Sequence, residues 1–206
     1  MLKERYILEA EKIAGLYLEH DADLAHPVFG EGNSENPLIM FIGEAPGREE
    51  AASGRPFVGK AGKQLDSMLE LAGINRDEVF VTNAVKYRPI KRKGESTSNR
   101  TPTPAEIRAG LSLLRSEIEI VDPVVIATLG NVPLNAVIQL AGGVNDPMTV
   151  GSAHGFPTMF LISNKPRRLF PLYHPAASIY NRELKPVLEK DLITLGEYAR
   201  SLEKEI

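Results

Sequence analysis

The chain has 206 residues, enough for one large domain with a sizeable buried core. Apolar residues make up 43% and charged residues 25%, and the net charge of -3 does not by itself announce a nucleic-acid partner. There is no cysteine, which excludes disulfides, thiol nucleophiles and thiolate-held zinc or iron–sulfur centres.

No apolar run approaches the roughly 20 residues of a membrane-spanning helix. The opening MLKERYILEAEK lacks the form of a secretion signal, so a cytoplasmic protein with no membrane partner is expected. Ile7, Ala10, Ala14 and Tyr17 predict an amphipathic helix over residues 2–20. Leu38 to Ile42 is an apolar run of strand length. A helix over about 61–72 carries Leu65, Met68, Leu69 and Ala72 on one face and stops at Gly73. Residues 78–85 predict a second strand centred on Val79, Phe80 and Val81.

Residues 90–103 show no apolar period and predict a surface loop. Thr103-Pro104-Ala105-Glu106 then writes a helix start, with Thr as N-cap, Pro in the first turn and Glu at the capping-box position. Ile107, Leu111, Leu114, Ile118 and Val121 form its apolar stripe. A strand over 123–129 closes at Gly130, and a helix follows over about 131–140. The stretch from Gly142 to Gly155 reads as irregular. Strands are expected at 157–162 and 169–173, the second ending at His174-Pro175, and a last helix at about 182–204. Strands alternating with helices imply βαβ units, a mostly parallel sheet with helices on both faces, and one domain over 1–206.

The charges are unevenly spread. Lys86, Arg88, Lys91, Arg92, Lys93 and Arg100 stand against Glu95 alone, and Lys165, Arg167 and Arg168 form a second cluster. Such patches bind phosphates in an otherwise acidic protein. They read equally well as solvated loop charges.

The loop after the first strand, Gly43-Glu44-Ala45-Pro46-Gly47 followed by Gly54-Arg55-Pro56-Phe57-Val58-Gly59, fits neither GxGxxG nor GxxxxGK[ST]. Glu44, Asn83 and His174 each stand at an expected strand end. Parallel strands end on one sheet edge, so the three can converge on one pocket. Singly, each has a plain structural role: a turn cap for Glu44, an Asx turn for Asn83, a hydrogen-bonded surface residue for His174. Phe57 either tucks its loop against the sheet or offers a flat face to a planar ligand such as a flipped base.

These segments resemble the family-four uracil-DNA glycosylases. The resemblance runs in order through Phe29-Gly30-Glu31-Gly32-Asn33, the loop at 43–59, Thr82-Asn83-Ala84-Val85-Lys86, Pro102-Thr103-Pro104, Thr128-Leu129-Gly130 and His174-Pro175-Ala176-Ala177. It covers about 28–195 and implies a three-layer α/β/α fold around a mostly parallel four-stranded sheet. The implied activity is hydrolysis of the bond between uracil and deoxyribose in DNA, leaving an abasic site. Gly43 and Ala45 would belong to the base pocket and Phe57 would stack on the uracil. Asn83 would read its pairing edge, since one amide both accepts from N3–H and donates to O4. His174 would stabilise charge on the departing base. Glu44 would hold or polarise the attacking water, and Glu50 would stand near uracil C5 and exclude thymine. Ser178, Ile179, Tyr180 and Arg182 would enter the minor groove, while Lys86, Arg88, Lys91, Arg92 and Lys93 would contact phosphates. Uracil-containing DNA is then the expected partner, and a monomer the expected form. Two other outcomes stay open: a silent DNA- or nucleotide-binding paralogue, and a glycosylase for another deaminated base.

The family usually carries a [4Fe–4S] cluster on four cysteines. Here the third of those positions is Tyr87 and the fourth Gly110, and the first two fall within residues 16–24, which hold Tyr17 and His20. The resemblance therefore points to a variant without the cluster and with no metal ligand.

Overall fold

In a computed structural model, residue 4, residues 22–23, 27–143 and 148–203 are described. Apart from residue 4, the helix expected over 2–20 lies outside them. The strands are β1 (Ala22–Asp23), β2 (Glu31–Gly32), β3 (Ile39–Gly43), β4 (Phe80–Asn83), β5 (Arg88–Lys93), β6 (Ser96–Asn99), β7 (Val125–Leu129), β8 (Thr158–Ile162) and β9 (Lys165–Leu172). The helices are α1 (Arg48–Ser53), α2 (Lys60–Leu71), α3 (Pro104–Val121), α4 (Asn131–Leu140), α5 (Val150–Ala153), α6 (Ala177–Tyr180) and α7 (Leu184–Glu203).

Apolar runs buried on both faces make the parallel centre of the sheet, as parallel strands require. Along β3, Ile39 and Phe41 enter one core while Met40 and Ile42 enter the other. The first core lies under α2 and α7 (Leu65, Met68, Leu69, Leu188, Leu192, Leu195), the second under α3 and α4 (Leu114, Ile118, Val121, Leu134, Val137). This is the expected three-layer arrangement. The sheet has six strands rather than four, in the order β2-β4-β3-β7-β9-β8. Its middle four are parallel, and β2 and β8 are antiparallel edges.

Register brings the site together. Gly43 pairs with Asn83, Ile42 with Thr128 and Leu129 with Leu172. The chain leaves β3 towards β4 on one side and returns to β7 on the other, a switch point of the kind where open α/β sheets bind ligands.

The segment 90–103 is not a plain loop. β5 and β6 form a hairpin turning at Gly94 (φ +59°), and with β1 they make a separate three-stranded antiparallel sheet. Lys91, Arg92, Lys93, Ser96, Ser98 and Asn99 are exposed, so no buried face left an alternating signal in the sequence. The hairpin is riveted to α3. Arg100 donates to the Ile90 carbonyl at 2.9 Å and to both carboxylate oxygens of Glu106 at 2.7 and 2.8 Å. The predicted capping box closes there: Glu106 N donates to Thr103 Oγ1 at 3.3 Å, and Thr103 N to Glu106 Oε2 at 2.7 Å.

On α3, Leu114, Ile118 and Val121 are buried as expected, whereas Ile107 and Leu111 are half-buried. Leu113, outside the predicted stripe, is fully buried against Val85 and Tyr87. A single helical turn, α5, interrupts the segment expected to be irregular. The last helix starts at Leu184, after the separate turn α6, and buries Leu188, Leu192, Leu195, Ala199 and Leu202 as expected.

Candidate active site

Gly43 ends β3 at the carboxyl edge, and its missing side chain defines the site. A Cβ there would stand 2.5 Å from Phe57 Cζ and closer still to Asn83 Oδ1. The ring and the amide thus meet over one bare α-carbon. Phe57 adopts a left-handed backbone (φ +57°), uncommon for a bulky residue. Gly62 on α2 packs directly on its carbonyl, where any Cβ would collide. Glu50 braces the loop from inside: Oε2 accepts from Gly47 N at 3.1 Å and Oε1 from Gly59 N at 2.8 Å.

These groups border a cavity of about 530 Å³ lined by Ala45, Glu50, Phe57, Asn83, Asn99 and His174. Ile179 and Tyr180 stand at its margin, 48% and 90% exposed. That volume suits a small planar ligand. A second cavity, about 490 Å³, opens at the opposite end of the sheet near Asn75 and Arg200 and holds none of the strand-end groups.

His174 follows β9 by two residues. Ala176 N donates to its Nδ1 at 3.2 Å, so Nδ1 is the acceptor and Nε2 carries the proton of the neutral ring. Burial pushes its pKa below the usual 6.5, opposed by the charge of Glu50. The ring is therefore a neutral donor at pH 7. Glu44 is not among the side chains lining the cavity. It stands between Gly43 and Ala45, half-buried, and burial raises its carboxyl above the usual 4.5. Its carbonyl accepts from Val85 N at 3.1 Å, tying the loop to the segment after β4.

The basic residues separate into several environments. Lys91, Arg92 and Lys93 are exposed on β5, and Arg182 is exposed after α6. Lys86 is not on this surface. It is fully buried and ion-paired to Glu117 at 2.7 Å, with burial pushing its pKa down against the pull of Glu117. Arg88 is buried too, its Nε donating to Asn99 Oδ1 at 2.7 Å. Ser178 turns inward and donates to the Pro175 carbonyl at 2.8 Å. Lys165 and Arg167 pair with Asp122 at the amino end of β9, the sheet end away from His174, so they do not border the cavity. Asn99 and Arg48, which donates to the Thr97 carbonyl at 3.4 Å, line the cavity without having been singled out from sequence. Asn99 lies on the unforeseen hairpin and Arg48, at the start of α1, bonds to it, so no local pattern marked either.

The residues present do not fit an iron–sulfur cluster. No cysteine exists to ligate one. At Gly110 a Cβ would run into the Ala84 carbonyl oxygen, because α3 lies directly on the end of β4. Tyr87 is buried with Val85 and Leu113, packed by Phe29, Ala45 and Ile107. Among the described residues, no group of three or more His, Asp or Glu is placed to hold a metal, and no helix is long and apolar enough to cross a membrane.

Comparison with known proteins identifies the family. The model of the uracil DNA glycosylase superfamily matches residues 29–195. The type-4 uracil-DNA glycosylase of Sulfurisphaera tokodaii is 40% identical over 162 residues, covering 78% of this chain and 70% of that protein. Its counterpart from Saccharolobus solfataricus is 39% identical, covering 82% and 74%. The type-4 enzyme of Thermotoga maritima is 37% identical, covering 80% and 79%. With the family model matching residues 29–195 and these relatives 37–40% identical over most of the chain, this chain belongs to the uracil DNA glycosylase superfamily.

Proposed function

We propose that this protein removes uracil from DNA by hydrolysing its N-glycosidic bond, and that the domain over 1–206 does so as a cytoplasmic monomer without a cofactor. The observation that carries this reading is the meeting of the Asn83 amide and the Phe57 ring over Gly43, in a cavity shared with His174. A base taken out of the stack costs a few kcal/mol, least at a mismatch. Stacking on Phe57 offsets part of that cost.

Asn83 reads the base: its oxygen accepts from N3–H and its nitrogen donates to O4. Cytosine presents the reverse pattern and leaves the amide mispaired. As the C1′–N1 bond breaks, its electron pair moves onto the uracil. The neutral His174 donates from Nε2 to the O2 where charge gathers, at no cost of reorganisation. Water adds to C1′ and releases its proton to solvent, which balances the uracil anion that departs. The Glu44 carboxylate, on the loop between Gly43 and Ala45 rather than in the cavity lining, orients that water and favours the cationic sugar. Glu50 borders C5, where the thymine methyl would stand. Lys91, Arg92, Lys93 and Arg182 face the phosphates, and Ile179 or Tyr180 fills the gap left by the base.

The test is incubation with a uracil-containing oligonucleotide, followed by alkali to cut at abasic sites. Cleavage at uracil and none at thymine is expected. Asn83→Ala should lower the rate by about 100-fold or more while the protein stays folded, since a site built to pair with a base loses most when the pairing group goes. An intact uracil strand at excess protein overturns the proposal.

A further inference from the structure

Directly behind the base-reading position lies a buried group of charges that the reaction above does not use. Lys86 stands three residues beyond Asn83 and sends its ammonium back beneath the strand end. Nζ donates to the Asn83 carbonyl oxygen at 2.6 Å, to Thr82 Oγ1 at 2.6 Å and to Glu117 Oε2 at 2.7 Å. The Thr82 hydroxyl in turn donates to the Glu117 carboxylate at 3.0 Å. Lys86 and Glu117 are both 0% exposed, and each ammonium proton has an acceptor.

Cohesion alone does not explain this pair. Desolvation of two charges roughly cancels their attraction, and apolar side chains of similar size would join α3 to β4 as well. Apolar side chains would not, however, bond the Asn83 peptide. Along β4, Phe80 packs in the core beneath α3 and Val81 in the core on the opposite face. Alternation therefore turns Thr82 towards α3 and Asn83 towards Phe57. A bond to the Asn83 carbonyl from the α3 side sets the plane of that peptide, and with it the direction of the side chain on the other face.

We infer that Lys86 and Glu117 are positioning residues for the base-reading amide: the buried ammonium clamps the Asn83 peptide, and the Glu117 carboxylate holds the ammonium in place. This rests on reading Asn83 as the residue that pairs with the base.

A double-mutant cycle tests it, combining Lys86→Met/Glu117→Leu with Asn83→Ala. Lys86→Met alone would leave the Glu117 charge unpaired in the core and unfold the protein, so both charges are removed together. The paired variant should melt within about 5 °C of the unaltered protein, since a buried ion pair adds little net stability. Single-turnover uracil release should slow by about 10- to 100-fold, the scale of a small misplacement. In the Asn83→Ala background the same pair should cost less than about threefold, because its effect passes through Asn83. Equal losses in both backgrounds, or none, overturn the inference. If the unaltered protein releases no uracil, the reaction proposed above fails instead, and NMR decides the clamp. The Asn83 side-chain amide signals should then move to free-amide positions in the paired variant, and unchanged signals overturn the inference.

Discussion

Gly43 and Asn83 face each other in the parallel ladder, and the amide oxygen of Asn83 rests over the bare α-carbon of Gly43. Gly43→Ala would push a methyl group into both Asn83 Oδ1 and Phe57 Cζ, which are the ends of side chains rather than backbone. Those ends can move, so the fold should survive at a cost of about 1–3 kcal/mol. The site should not: displacing ring and amide together should slow uracil release by about 100-fold or more. Thermal melting and single-turnover rates measure the two effects separately.

The pH profile follows from two shifts of opposite direction. Burial holds Glu44 above its usual 4.5 and His174 below its usual 6.5. In the proposed reaction the working forms are the carboxylate and the neutral imidazole, and both predominate above the two shifted values. Excision should therefore fall with acid, one protonation entering as pH drops through the Glu44 value raised above 4.5 and another as it drops through the His174 value lowered below 6.5. Glu44→Gln should lower the plateau and leave one protonation. A rate that rises on acidification would contradict both assignments. For stability the signs oppose. The unfolded chain takes the His174 proton first, so the fold weakens as pH drops below 6.5. Glu44 binds its proton more readily when folded and so gains stability as pH falls through its raised value.

The exposed hairpin residues should govern affinity rather than chemistry. Replacing Lys91, Arg92 and Lys93 by Ala should weaken DNA binding and flatten its dependence on log salt by up to about 3 units, since each phosphate contact in duplex contributes about 0.9. The rate within a saturated complex should stay near that of the unaltered protein. A fluorescence-anisotropy titration over a salt series checks the first, and single-turnover kinetics the second.

Metal analysis of the purified protein should find no stoichiometric iron or acid-labile sulfide. Four iron atoms per chain would show a cluster held by other ligands and overturn the cofactor-free reading. Gly110→Cys should lower the melting temperature, because its Cβ has no space beside the Ala84 carbonyl.

The legible parts of the chain were those with a local signature. The face of α2 built on Leu65, Met68 and Leu69, the capping box at Thr103 and Glu106, and the position of Asn83 at the end of β4 each follow from spacing or neighbours within a few residues. The hairpin at β5 and β6 had none, because from Lys91 to Asn99 its side chains are largely exposed and no buried face imposes an alternation. With it went Asn99, which reaches the cavity only through that hairpin. Lys86 misled for a related reason: within a run of basic residues nothing local distinguishes the one that is buried from those that are solvated.

By itself, then, the sequence determined the order of the parallel strands and the long helices, the two-sided burial of those strands, and the polar residues at or just after the ends of β3, β4 and β9. Periodicity and caps are short-range, and Glu44, Asn83 and His174 are set by where each strand stops. Only the tertiary structure decided what those residues meet. The Phe57 ring lies over Gly43, Glu50 is bonded to two loop amides, and Lys86 passes beneath Asn83 to a carboxylate on α3. A charge is buried or solvated according to elements distant in sequence, and Glu117 lies 31 positions from Lys86. That partnership exists only once α3 has packed on the sheet.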